Sequence, residues 1–280
     1  MIVDIHTHFW DIHKHGTDQF NEEAKRASKG KVSFETKADE FLRAQQPCDR
    51  TVVFGGKALH VGLNVPNEYV FEFCKRDPKK LVPFMSLDPN ERGMMDEFER
   101  CLHQFRMRGI KLLPMYANFD PRDERLTPVY EAAVKHNLPV LLHMGTTFCR
   151  WAPLRYTRPV LLEEVAEKFP DLKMILAHIG HPYEGEAIVL IRKQDNIWSD
   201  ISALHYRPWQ FFNSMMLAQE YGVQHKLLFG SDYPFTTPEA TLQALRHMND
   251  MTKGTNLPKF DMDAIEGIVN RDSLHLLGIS

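Results

Sequence analysis

The sequence predicts an α/β protein, a (β/α)8 barrel of the TIM type, and three observations carry that expectation. Short apolar, β-branched runs alternate with longer segments of helical periodicity from end to end, the pattern of βαβ units and a parallel sheet. The runs number eight, enough to close a barrel. An open doubly wound sheet usually carries a glycine-rich phosphate loop after its first strand, whereas this chain has His6-Thr7-His8-Phe9-Trp10 there.

The first strand is expected at residues 2–6, where Ile2 and Val3 lead into Asp4-Ile5-His6-Thr7-His8. Residues 10–35 are irregular and too long for a simple connection, so they read as a functional loop over the barrel mouth. A helix at 38–46 then precedes a strand at 51–54, a helix at 67–76 a strand at 81–86, and a helix at 93–106 a strand at 110–113. Helices at 124–136, 159–169, 186–193 and 209–221 alternate with strands at 140–143, 174–178, 197–201 and 227–230. In the helix at 209–221, Phe211, Phe212, Met215 and Met216 fall at helical spacing and read as core. Thr237-Pro238-Glu239 opens a helix at 238–248 with a capping hydroxyl, a first-turn proline and an acid. A last helix at 262–277 ends at Gly278. No linker or change of composition marks a second domain, so a single domain over residues 1–280 is expected.

Hydrophobic residues at 43% and charged residues at 25% are ordinary for a globular protein with a sizeable core. The net charge of −3 comes without a concentrated basic run, which argues against nucleic acid or an anionic membrane surface as a partner. No apolar stretch approaches the roughly 20 residues of a membrane span. The first strand begins at once, leaving no room for a signal peptide. Cys48, Cys74, Cys101 and Cys149 are widely spaced, with no C-x-x-C pair, and read as reduced, buried thiols of a cytoplasmic protein.

Barrels place functional residues at the C-terminal ends of their strands. His6 and His8, one residue apart on a strand, point to one face because side chains alternate with period 2. His143, His178 and Asp232 end or follow the fifth, sixth and eighth expected strands. A lone histidine at a strand end is usually structural, and an aspartate after a strand is usually a turn former. Five such residues at one rim point instead to a divalent ion. Imidazoles with a carboxylate suit Zn2+, with Mn2+, Fe2+ or Co2+ as alternatives. Also just beyond strand ends lie Trp10, Arg150, Arg155, His181 and Tyr183, the expected substrate contacts, along with His60, His205, Arg207 and Tyr233. Arg150 and Arg155 suggest a bidentate grip on a substrate carboxylate. His13 and His15 fall in the long loop without an assigned direction.

The segment Asp4-Ile5-His6-Thr7-His8 resembles the D-x-H-x-H signature of the amidohydrolase superfamily. The likeness is nearest to the amidohydrolase-related branch that includes aminocarboxymuconate-semialdehyde decarboxylase and resorcylate-type decarboxylases. It runs through Gly109-Ile110-Lys111-Leu112-Leu113-Pro114, Leu141-Leu142-His143-Met144-Gly145, Ala177-His178-Ile179-Gly180-His181-Pro182 and Phe229-Gly230-Ser231-Asp232-Tyr233-Pro234. The resemblance implies one metal ion held by His6, His8, His143 and Asp232, with His178 a nearby catalytic or substrate-polarising residue. Asp232 would also move a proton, and Asp4 would orient a ligand imidazole or the strand end. In other branches a fourth-strand lysine is carboxylated and bridges two metals. Lys111 lies early in its strand, so a lysine paired with a carboxylate is the plainer expectation. Members of this branch often form dimers, so a homodimer is the expected assembly.

Two reactions share these ligands. A metal-dependent hydrolase would use activated water on an amide, ester or lactone of a small, carboxylated molecule. A non-oxidative decarboxylase would release carbon dioxide from an aromatic or muconate-type acid. The chain is somewhat shorter than the decarboxylases it resembles, which tilts the expectation towards hydrolysis; a hydratase or a non-catalytic metal-binding protein remains as a further alternative.

Overall fold

The computed structural model describes residues 1–28 and 34–279. The barrel strands are β1 (Val3–His8), β2 (Arg50–Phe54), β3 (Leu81–Pro83, resumed at Met85–Ser86), β4 (Ile110–Leu112), β5 (Val140–Leu142), β6 (Met174–Leu176), β7 (Ile197–Asp200) and β8 (Leu227–Leu228). Neighbours pair in parallel, β1-β2-β3 in one segment and β3 through β8 in the other. β3 changes partner midway: Phe84 N–H donates to Val53 O and Met85 N–H to Gly109 O, each at 2.9 Å. At the seam Ile5 N–H donates to Phe229 O at 3.1 Å, Asp232 N–H to His6 O at 2.8 Å and His8 N–H to Tyr233 O at 2.7 Å. The ring therefore closes through the residues that carry the candidate site.

Strand side chains sort into two apolar layers with period 2. Val52 and Phe54 of β2, Phe84 of β3, Leu141 of β5 and Ile175 of β6 gather with Leu274 and Leu277 in the barrel interior. Val53, Met85, Leu142 and Leu176 belong to the outer layer with helix residues such as Val70, Phe98, Val129 and Leu162. β1 breaks strict alternation, its pairing with β2 shifting register between Asp4 and Thr7.

Residues 10–35, expected to be irregular, instead carry two helices, α1 (Ile12–His15) and α2 (Asp18–Ser28); residues 29–33 of that loop lie outside the described residues. α2 buries Phe20 and Ala24, four apart on one face, within a charged sequence that masks the period. The expected final helix is two, Met262–Val269 and Ser273–Leu277. The second has its own start because Asp272 accepts from His275 N–H at 3.0 Å as a cap. Gly278 terminates it at φ 76°, a conformation that glycine adopts without strain. Among the described residues no helix is long and apolar enough to cross a membrane. All four cysteines are buried and unbonded to one another.

Candidate active site

Sharp turns at strand ends deliver the side chains. His178 and Ile179 follow β6 at φ 60° and 47°, and Asp232 follows β8 at φ 63°. Non-glycine residues stay in this left-handed region only where their surroundings hold them. His178 N–H is held by Asp200 Oδ1 at 3.0 Å and Asp232 N–H by His6 O. Asp4 accepts from Ser231 N–H at 2.9 Å and from the Ser231 hydroxyl at 2.6 Å, fixing the turn that presents Asp232. Burial raises Asp4 to about 6 although these bonds oppose it. Asp4 is thus a brace for the strand end.

The imidazoles have defined tautomers. His6 Nδ1 lies 2.9 Å from Asp200 Oδ2, His8 Nδ1 3.2 Å from Gly55 O and His178 Nδ1 3.1 Å from Ser202 O. Carbonyl and carboxylate oxygens only accept, so each Nδ1 carries a proton and each Nε2 keeps its lone pair. His6 Nε2 and His8 Nε2 both stand 3.3 Å from Asp232 Oδ1, a buried oxygen without a hydrogen-bond partner. Burial, then Lys111, holds His6 down at about 4. Burial also keeps His8 and His178 well below the ordinary imidazole range. It pushes Asp232 well above the ordinary carboxylate range, against the pull of Lys111.

Two ligands about 2.0–2.1 Å from a tetrahedral ion stand roughly 3.3–3.4 Å apart, the spacing of both imidazole–Asp232 pairs. One donor atom from each of His6, His178 and Asp232 also lies within 4.8 Å of the other two. The donor set therefore fits a divalent ion.

His143 stands differently from its expected place among the ligands. Its ring centroid is 5.0 Å from that of His178, but its Nε2 is 2.9 Å from Thr146 O in its own loop. Burial lowers it to about 3. The tight group holds His178 and neither His8 nor His143; His143 lines the cavity with them, its Nδ1 keeping the lone pair while Nε2–H goes to Thr146 O. Lys111 has no carboxylate partner among the described residues. Its Nζ is 3.2 Å from His6 Nε2 and 4.6 Å from the centre of the Phe54 ring, and burial lowers it to about 7.

The cluster floors a cavity of about 640 Å³ with walls from Trp10, Phe34, Tyr116, Phe148 and Phe235. Trp10 lies over His8 with ring centroids 4.4 Å apart, its indole N–H donated to Phe34 O. Phe20 of α2 lines the cavity too, so the long loop does cover the mouth. His181 lines it, lowered to about 4 by burial and then by Arg207.

The other expected substrate contacts lie elsewhere. Arg150 is exposed 3.7 Å from Glu23, Arg155 reaches Asn118 Oδ1 at 3.2 Å, and Tyr183 sits under the Arg158 guanidinium. These loops turn outward, where Arg150 and Arg158 pair with Glu23 and Glu186 and Arg155 with the Asn118 amide oxygen. Among the described residues the arginine that lines the cavity is Arg207, exposed with its guanidinium 4.5 Å from the Tyr206 ring centre, beside His205, whose Nδ1 is buried without a partner. His60 is tied to Trp151 O at 2.9 Å, and Tyr233 packs on Phe41. Sequence reasoning missed Asp200 and Ser202, although Asp200 ends its strand just as His143 and His178 follow theirs.

The sequence profile of the amidohydrolase family matches residues 3–265. A dihydroorotase of Helicobacter acinonychis (strain Sheeba) is 28% identical over 149 residues, 49% of this chain and 41% of that protein. This chain thus aligns with about two fifths of that relative's length. A TIM-barrel protein from Bordetella bronchiseptica superposes with a TM-score of 0.75 at 19% identity, covering 99% of this chain and 98% of its own. 5-Carboxyvanillate decarboxylase from Sphingomonas paucimobilis gives 0.68 at 13% identity, covering 100% and 99%. A zinc-bound amidohydrolase from Burkholderia multivorans gives 0.71 at 10% identity, covering 100% of both chains. At these identities the structural likeness shows the fold, a (β/α)8 barrel.

Proposed function

The chain belongs to the amidohydrolase family, and from that premise we propose that it is a metal-dependent hydrolase of a small, largely apolar carboxylate. The observation that carries this reading is Asp232 Oδ1, buried, unpartnered and 3.3 Å from two imidazole lone pairs. His6, His8, His178 and Asp232 would hold the ion; zinc suits these donors, and the zinc-bound relative supports it. When bound, the ion supplies Lewis acidity to a water or a substrate oxygen. The Asp232 carboxyl group would take the proton of the attacking water and return it to the leaving group. Trp10, Phe34 and Phe148 hold the apolar body of the substrate and exclude water, while Arg207 pairs with its carboxylate.

The test is a metal assay followed by a pH-stat panel of carboxylated esters, lactones and cyclic amides. About one equivalent of zinc and metal-dependent acid release are expected. A protein that takes up under about 0.2 equivalents after supplementation defeats the reading.

The aromatic walls favour a second reading, the decarboxylation of a flat aromatic acid, and one structural relative is named a decarboxylase. Loss of carbon dioxide from carboxylated phenols, with no acid release from the esters, selects it.

A further inference from the structure

Asp200, at the end of β7, touches both histidines of the tight group. Its Oδ2 accepts from His6 Nδ1–H at 2.9 Å. Its Oδ1 accepts from the Ser202 hydroxyl at 2.5 Å, from Ser202 N–H at 3.1 Å and from His178 N–H at 3.0 Å. With its proton committed to Asp200, the Ser202 hydroxyl is left as an acceptor towards His178 Nδ1, 2.8 Å away. Asp200, Ser202 and His6 are fully buried and His178 nearly so, which leaves no water to compete for these bonds.

We infer that Asp200 and Ser202 form one positioning unit that locks His6 and His178 in the same Nδ1–H tautomer, so that both Nε2 lone pairs face the ion together. This rests on the metal-dependent reading above. It assigns His178 a role opposite to carbonyl polarisation: a neutral imidazole protonated at Nδ1 has no Nε2–H to donate, so His178 is a ligand or a proton acceptor.

Asp200→Asn keeps the shape of the side chain but replaces one acceptor by an NH2 group. The His6 proton then moves to Nε2, removing that lone pair. The experiment follows the imidazole nitrogens by 15N NMR in the metal-stripped full chain and measures Zn2+ affinity by chelator competition. Wild-type His6 and His178 are expected to be protonated at Nδ1. Asp200→Asn should convert the His6 pattern and weaken Zn2+ binding by about 10–100-fold. Ser202→Ala should weaken it less, since Ser202 O still holds His178 Nδ1, and Ser202→Thr should restore it. If Asp200→Asn fails to fold, the Ser202 pair carries the test alone. Wild-type tautomers and affinity in Asp200→Asn, equal affinity in both Ser202 variants, or wild-type His178 protonated at Nε2, each overturns the inference. Expected tautomers in a chain that binds no Zn2+ uphold the positioning unit and sink the metal reading instead.

Discussion

Two buried lysines mark the two ends of the barrel. Lys226, at the entry to β8, donates to Gln194 O at 3.1 Å, Asp195 O at 2.7 Å and Ile197 O at 3.2 Å, with the Trp198 ring 4.7 Å away. Lys111, in β4, has the Phe54 ring at a similar 4.6 Å but, among the described residues, only one hydrogen-bond partner, His6 Nε2. Burial lowers the pKa of both. An ammonium carries three donors, so the base of the barrel satisfies its lysine completely and the rim does not. The same contrast holds for Asp232 Oδ1 and His205 Nδ1, both buried without partners near the rim. Unpartnered buried nitrogens also occur away from the rim, at Gln45 Nε2, Arg50 Nε and Arg271 Nε. At the rim, by contrast, the unpartnered Asp232 Oδ1 stands against two imidazoles with a buried lysine beside them, the condition of a site completed by something that binds.

The largest test of this contrast is at Asp232. Asp232→Asn is expected to reduce kcat by about 10²–10⁴-fold and to strip the ion, while circular dichroism shows an intact barrel. Retained turnover with one equivalent of zinc would remove Asp232 from the chemistry. Arg207→Met should raise KM for a carboxylated substrate by roughly 10–100-fold, the scale of one charge-assisted hydrogen bond. Arg150→Met should leave KM alone, and equal effects would erase the distinction between cavity and outer loop.

His178→Ala is expected to weaken Zn2+ binding by at least about tenfold, whereas His143→Ala retains the ion; the reverse order, by chelator competition, would restore His143 as the ligand. The lysines themselves give smaller, opposed effects. Lys226→Met removes a donor from three carbonyls and should cost about 1–3 kcal/mol in denaturant unfolding, with Zn2+ affinity unchanged. Lys111→Met removes a cation beside the ion and should strengthen Zn2+ binding by about tenfold without loss of stability. Smallest of all, Asp272→Ala removes a helix cap at the base, worth about 1 kcal/mol and read as a lowered Tm.

Much of the fold was legible because burial imposes a period. The runs that became β5 and β6 are apolar on both faces, and Thr237 caps its helix, accepting from Ala240 N–H at 3.2 Å. α2 escaped because only Phe20 and Ala24 of its charged length are buried. The break at Asp272 escaped because a cap inside an apolar run does not interrupt its period. At the site, His6, His8, His178 and Asp232 were legible as strand-end groups. Arg150 and Arg155 misled because a guanidinium beyond a strand end says nothing of the way its loop turns.

By itself the sequence determined the class of fold and the rim at which imidazoles and a carboxylate would gather, since strand period and chain order suffice for both. Only the tertiary structure decided which imidazole joins the tight group, which arginine lines the cavity and where each proton sits. Those depend on left-handed turns at His178 and Asp232 and on hydrogen bonds from Asp200 and Ser202, contacts that exist only once distant strands lie side by side.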